Sequence, residues 1–181
     1  MSQILNGKFI YINNINEHII NETNNFLENK TNLSEISFEE NKNWQCNVVT
    51  TQKTHPNILN AEELINLRLE VLKHCDAYMR KNNDFYDGYI DESWFNKYHQ
   101  GYYQEFHKHL HKVHKHFAGV MYFTENNSEI EFFIDKTFKY TPQKGDILIF
   151  DGDFEHRVLP NTNNNLRISL AFNFKKCFSY D

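Results

Sequence analysis

The chain has 181 residues, of which 40% are hydrophobic and 15% aromatic, which suits one compact domain with a sizeable core. A net charge of −5 and a pI near 6.0 argue against broad electrostatic attraction to nucleic acid or to an anionic membrane. Cys46, Cys75 and Cys177 are too widely spaced for a disulfide framework, and no apolar run is long enough for a signal peptide or a membrane span. We therefore expect a cytoplasmic protein.

The first third of the sequence predicts a mixture of strands and helix. Residues 7–13 alternate apolar and polar side chains, which predicts an entry strand. Residues 15–30 carry apolar side chains at roughly helical spacing, and residues 31–43 are polar and predict a loop. A second strand is predicted over residues 44–51.

The clearest helix is predicted over residues 60–81. Asn60 is a suitable N-terminal cap, and Glu62 and Glu63 follow in the first turn, where negative charge is favourable. An apolar stripe at helical spacing then predicts one face buried in the core. The stripe comprises Leu64, Leu67, Val71, Cys75 and Tyr78.

From residue 92 onward the pattern changes to short strands separated by turns. The strands are predicted over residues 94–98, 103–109, 117–124, 129–134, 146–150, 155–159 and 166–174. This spacing is typical of a β-sandwich or a small barrel. We therefore predict a single domain over residues 1–181, in which residues 1–91 support a β core formed by residues 92–181.

The histidines are the main candidates for chemistry. His107 and His109 lie two residues apart, so on one strand they would project from the same face. His156 follows a turn and can close a three-point metal site, since neutral imidazole is a good ligand for iron, zinc, copper and nickel. Six of the ten histidines fall within residues 99–116, so a solvated histidine-rich strand is the alternative reading.

The order of these residues resembles that of a known family. The first stretch is Tyr98-x-x-Gly101-x-x-Gln104-x-x-His107-x-His109, and the second comprises residues 145–150, 156–160 and 167–169. Both are similar to the Fe(II)/2-oxoglutarate-dependent dioxygenases. Residues 44–51 and 94–96 are similar to a prolyl-hydroxylase-like subfamily, in which a His-x-His form also occurs. The resemblance implies a double-stranded β-helix, or jelly roll, with supporting helices.

The resemblance assigns His107 and His156 as iron ligands. His109 stands where the family usually has a carboxylate, so we expect either a three-histidine site, a site lacking oxygenase chemistry, or a carboxylate supplied from nearby. The nearby acidic candidates are Glu105, Asp153 and Glu155. A register slipped to His109-x-His111 is disfavoured by the spacing from Tyr98. His114 and His116 are placed at the mouth of the barrel.

The same resemblance assigns the cosubstrate site. Arg167 would form a salt bridge with the distal carboxylate of 2-oxoglutarate, for which its planar guanidinium is suited. Ser169 would hydrogen-bond the same carboxylate, and Tyr98 or Asn96 would contact the cosubstrate from the neighbouring strand. The apolar neighbours of Arg167 favour its burial, and a buried arginine needs an anion.

The implied activity is hydroxylation of an unidentified small-molecule or peptide substrate, with Fe(II) as cofactor and release of succinate and CO2. No nucleic-acid or membrane partner is expected, and the composition permits a homodimer. Tyr86, Tyr89 and Tyr102 are candidates to hold the substrate. Two alternatives stay open: a cupin-like three-histidine metalloprotein that does not use 2-oxoglutarate, and a non-catalytic β-sandwich that binds a partner.

Overall fold

The computed structural model describes residues 2–5, 8–32, 34–41, 46–82, 87–109, 116–125 and 128–176. In this part of the chain the helices are α1 (Glu17–Asn32) and α2 (Ile65–Lys81). The strands in chain order are β1 (Ser2–Leu5), β2 (Lys8–Asn14), β3 (Glu39–Glu40), β4 (Val49–Thr50), β5 (Gly88–Tyr98), β6 (Gln104–His107), β7 (His116–Tyr122), β8 (Ile130–Phe133), β9 (Thr137–Tyr140), β10 (Asp146–Asp151), β11 (Glu155–Val158) and β12 (Arg167–Lys176).

These strands form two antiparallel sheets. The larger sheet has eight strands in the order β1-β2-β10-β7-β12-β5-β4-β3, and the smaller has four in the order β6-β11-β8-β9. From β5 onward the chain passes repeatedly from one sheet to the other, which is the winding of a jelly roll. The predicted fold class, mainly β with supporting helices, is confirmed. The division at residue 92 stays a prediction, and β2 already pairs with β10 of the later part.

Strand alternation sends the side chains of β12 to two different environments. Leu170, Phe172 and Phe174 face α1 and α2 and belong to the core between the helices and the large sheet. Arg167 and Ser169 point the other way, toward the space between the two sheets, although both are buried. The large sheet therefore carries one apolar core on its helix side, and its other face combines these polar side chains with a second apolar cluster shared with the smaller sheet.

The second predicted helix begins later than the sequence pattern indicated. Residues 58–64 form two short 3-10 turns, Ile58–Asn60 and Glu62–Leu64, and α2 begins at Ile65. Asn60 is therefore not the cap of α2. The reason is the extended backbone of Ala61 (φ −63°, ψ 135°), which interrupts the helical path between the two turns. The predicted apolar stripe is nevertheless buried.

Several strand boundaries also differ from the predictions. The strand predicted over residues 44–51 is reduced to Val49–Thr50 in the described part of the chain, and β3 lies in a predicted loop. Strand β9 was not predicted, although Phe138 and Tyr140 alternate with exposed residues and pack, half-buried, against the core between the sheets. The prediction that His107 and His109 share one strand is wrong, because β6 ends at His107.

The remaining general expectations concern membranes and cysteines. Neither helix in the described part of the chain is long and apolar enough to cross a membrane. Cys75 is buried and Cys46 is half-buried, and both are free thiols. Cys177 lies outside the described residues. The reducing, cytoplasmic location stays a prediction.

Candidate functional site

Three histidines meet at one end of the smaller sheet. His107 on β6 and His156 on β11 are direct partners across the antiparallel pair. His109 joins them from the loop after β6, where its backbone N–H donates to Gly152 O at 2.8 Å. A Cβ on Gly152 would lie only 2.8 Å from His109 O, so glycine is needed for this close approach. One nitrogen from each imidazole lies within 4.8 Å of the others.

Hydrogen bonds select the tautomer of two of these rings. His107 Nδ1 lies 2.9 Å from Glu105 O, and His156 Nδ1 lies 2.9 Å from Phe154 O. A carbonyl only accepts, so each Nδ1 must carry the proton and each Nε2 keeps its lone pair. This arrangement, a histidine held through its other ring nitrogen, is typical of metal ligands.

The protonation states also suit metal binding. Burial lowers the pKa of His107 below its ordinary value, and it lowers the pKa of His156 much further. Burial, with repulsion from His107, lowers the pKa of His109 to about 3. All three rings are therefore neutral near pH 7, as ligands must be. The three predicted ligands are brought together, and their role as metal ligands stays a prediction.

No carboxylate joins the three imidazoles in the described part of the chain. Glu105 and Asp153 are exposed. Glu155 is half-buried on β11, next to His156. The expectation that a nearby acid supplies a ligand is therefore not supported by the geometry. His111 and His114 lie outside the described residues, and His116 is buried at the start of β7 but does not belong to the cluster.

Arg167 is buried deep between the sheets, with 1% of its surface exposed. Its guanidinium carbon lies 5.1 Å from the centre of the Tyr98 ring and 4.9 Å from that of Tyr122. Its Nε and Nη1 atoms are buried and have no hydrogen-bond partner in the part of the chain that the structure describes. An unpaired buried cation is unfavourable even between aromatic rings, so this position calls for an anion.

The other predicted cosubstrate residues surround Arg167. Tyr98 on β5 is its direct cross-strand partner, and Asn96 is the partner of Ser169. Tyr98 donates its hydroxyl to Gln104 Oε1 at 3.0 Å. Asn96 and Ser169 are both buried, and Asn96 Oδ1 has no hydrogen-bond partner among the described residues. Their assignment to the cosubstrate stays a prediction.

The histidines and Arg167 line the same cavity, whose volume is about 530 Å3. Several polar or aromatic residues of the cavity wall were given no site role from the sequence, among them Trp94, Gln104, Tyr122 and Asn173. Side chains two residues apart on a strand share a face. This rule could have placed Trp94 beside Asn96, and Asn173 on the same face as Arg167 and Ser169. Of the substrate candidates, Tyr86 lies outside the described residues, and neither Tyr89 nor Tyr102 lines the cavity.

Tyr122 adds a polar group beside the guanidinium. It is the cross-strand partner of Ser169 from β7, so it points into the same part of the cavity. Burial raises its pKa to about 12, although the charge of Arg167 opposes the change. The phenol is therefore neutral near pH 7 and can donate a hydrogen bond to an anion. The cavity thus combines three neutral nitrogen ligands with a cation and polar donors.

Comparisons with known proteins agree with this architecture. A family model described as "Putative 2OG-Fe(II) oxygenase" matches residues 124–173, which is less than a third of the chain. No curated protein matches the sequence. A Pseudomonas putida prolyl-4-hydroxylase superposes with a TM-score of 0.72 at 14% identity, covering 93% of this chain and 92% of that one.

Two further solved structures are similar. The viral collagen prolyl hydroxylase of Paramecium bursaria Chlorella virus-1, in complex with 2-oxoglutarate, has a TM-score of 0.66 at 14% identity, covering 97% of this chain and all 100% of that one. HygX from Streptomyces hygroscopicus, with nickel, 2-oxoglutarate and hygromycin B bound, has a TM-score of 0.66 at 9% identity, covering 93% and 83%. Identities this low establish a shared fold only. The chain is therefore similar to the Fe(II)/2-oxoglutarate-dependent oxygenases, by the family model over residues 124–173 and by the fold that it shares with the solved structures.

Proposed function

We propose that the protein is an Fe(II)- and 2-oxoglutarate-dependent oxygenase that hydroxylates a small molecule or a peptide, releasing succinate and CO2. One observation carries the proposal: a single cavity holds three clustered imidazoles and a buried guanidinium with unpaired nitrogens. The first group suits a transition metal and the second suits a carboxylate. A metal and a carboxylic acid are the pair that this class of oxygenase requires.

The metal would be held by His107, His109 and His156. Two of them already present an unprotonated Nε2 because their Nδ1 atoms donate to backbone carbonyls. Three ligands on one side of an ion leave positions open for a chelating cosubstrate and for oxygen. When bound, Fe(II) with 2-oxoglutarate supplies oxygen activation for insertion into a C–H bond. The protein's share is to hold the ligand geometry and to keep the cavity shielded from water.

The cosubstrate would be anchored at the end of the cavity where Arg167 lies. The guanidinium can donate from Nε and Nη1 to one carboxylate, which would satisfy both unpaired nitrogens at once. Ser169 and Tyr122 can add hydroxyl donors to the same group, since they are cross-strand partners facing one space. The 2-oxoglutarate complexes of the viral hydroxylase and of HygX support this choice of acid.

The substrate would enter from the histidine side of the cavity. The similar structures include prolyl hydroxylases and a protein with the small molecule hygromycin B bound, so the fold accommodates both substrate classes. The net charge of −5 gives no reason to expect nucleic acid or a membrane as partner. A homodimer stays a prediction.

An anaerobic titration tests the proposal. Fe(II) and then 2-oxoglutarate are added to the metal-free protein while the visible metal-to-ligand charge-transfer band is followed. We expect a band that requires both additions, that is lost in His107→Ala, and that is retained in His99→Ala, whose side chain is exposed and outside the cavity. Metal binding without a response to 2-oxoglutarate would instead indicate a cupin-like centre. No specific metal binding would leave a non-catalytic β-sandwich.

A further inference from the structure

The third histidine has a different environment from the other two. His107 and His156 each donate to a backbone carbonyl, but no backbone carbonyl accepts from His109 among the described residues. Asn173 lines the same cavity as His109, and the pKa of His109, which burial lowers, is partly raised again by Asn173. The ring also stacks on Trp94, with 6.4 Å between ring centres. Its orientation therefore depends on side chains of the larger sheet.

Asn173 is held from behind by a carboxylate. It pairs with Glu92 across β12 and β5, and its Nδ2 donates to Glu92 Oε2 at 2.9 Å. The strand register shifts between Asn173 and Phe174, and such bulges commonly re-aim side chains beside functional sites. Both members of the pair line the cavity, and Asn173 is only 8% exposed.

The carboxylate determines which way the amide points. An ionised carboxylate only accepts hydrogen bonds, so Asn173 must present Nδ2 to Glu92 and Oδ1 to the opposite side. That Oδ1 is buried, and in the described part of the chain it has no hydrogen bond of good geometry. His109 lines the same cavity and is the group that this oxygen can accept a hydrogen bond from.

We propose that Asn173, anchored by Glu92, is a positioning residue that fixes His109 as the third metal ligand. The ring nitrogen facing Asn173 carries the proton and donates to Oδ1, so the other nitrogen keeps its lone pair for the metal. Glu92 thereby acts on the metal centre through two hydrogen bonds. The carboxylate that usually binds the metal directly in this family would here stand behind a histidine ligand. This inference rests on the proposed function, because it requires a metal at the three histidines.

Cobalt(II) binding to the full chain tests the inference without turnover. The dissociation constant and the visible d–d spectrum are measured for each variant under anaerobic conditions. Asn173→Leu removes the acceptor and is expected to weaken Co(II) binding about 10- to 100-fold and to change the spectrum, as loss of an outer partner does at other metal sites. The matched control is Asn24→Leu, a half-buried asparagine of α1 that does not line the cavity, and this change should leave the Co(II) constant unchanged.

A charge-exchange variant separates positioning from simple packing. Asn173→Asp combined with Glu92→Gln keeps the number of non-hydrogen atoms and exchanges the amide and the carboxylate. The amide at position 92 then donates to the carboxylate at position 173, which can still accept a hydrogen bond from His109. We expect Co(II) affinity within about threefold of wild type and a wild-type-like spectrum. An Asn173→Leu constant within twofold of wild type, or a double variant as weak as Asn173→Leu, would overturn the inference. If the wild type itself fails to bind Co(II), the proposed function fails instead.

Discussion

Replacing Arg167 with methionine should weaken cosubstrate binding without destabilising the metal-free protein. Truncating one member of a buried charge pair costs about 2–5 kcal/mol of binding, which corresponds to a roughly 30- to 5,000-fold loss of 2-oxoglutarate affinity. In the metal-free protein the guanidinium is 1% exposed and has two unpaired nitrogens. Burying an unpaired charge costs several kcal/mol, and two ring contacts return only about 0.5–2 kcal/mol each.

The expected net effect on the metal-free protein is therefore zero or favourable, up to about 3 kcal/mol. At this chain length each kcal/mol shifts the melting temperature by about 2–4 °C. Thermal melts in chelator measure this effect, and calorimetric titration of 2-oxoglutarate into the Ni(II)-loaded protein measures the affinity. Arg80→Met is the control, since Arg80 is exposed on α2 and pairs with Asp76 at 2.8 Å. A melting temperature lowered by more than about 4 °C in Arg167→Met would show that a group within the chain already balances this charge.

Two further predictions concern stability. Burial lowers the pKa of His74 below its unfolded value near 6.5, so the unfolded chain binds the extra proton and stability is lost as the pH falls below about 6.5, by up to about 1.4 kcal/mol per pH unit. Denaturant unfolding of wild type and His74→Leu between pH 7.5 and 5.5 should show this difference in slope. A Cβ on Gly119 would overlap the ring of Phe172 on the neighbouring strand, so Gly119→Ala should cost about 1–3 kcal/mol. Chemical denaturation checks this cost, and a second substitution, Phe172→Leu, should recover part of it.

The fold was largely predictable because its central strands are rich in apolar residues and are separated by turns. Strands β7, β10 and β12 follow apolar patterns that survive the whole length of each strand, and their predicted positions are close to the observed ones. The predicted element boundaries were wrong where the local sequence does not determine the backbone conformation. The extended conformation of Ala61 delays α2, and β9 is a four-residue edge strand whose apolar pattern is limited to Phe138 and Tyr140.

The site was predictable where one strand fixes the side-chain direction and less so elsewhere. Arg167 and Ser169 share a face of β12, and the sequence pattern alone indicated that arrangement. His109 reaches the cluster for a different reason from the one predicted, because Gly152 allows its loop to approach β10. Tyr122 could not be assigned from sequence, since its relevance depends on β7 lying beside β12.

The charges in the cavity explain why one ligand should bind both at the three histidines and at Arg167. Three neutral imidazoles leave the charge of a divalent metal uncancelled, whereas a carboxylate ligand would remove one unit. At the other end Arg167 adds a second positive centre, whose Nε and Nη1 have no hydrogen-bond partner among the described residues. Glu92 is engaged by Asn173, and in the arrangement proposed above it would act on a bound metal only through Asn173 and His109. A dicarboxylate satisfies both positive centres, while a monoacid leaves one of them buried and unpaired, so the cavity favours a dianion over a monoanionic 2-oxo acid.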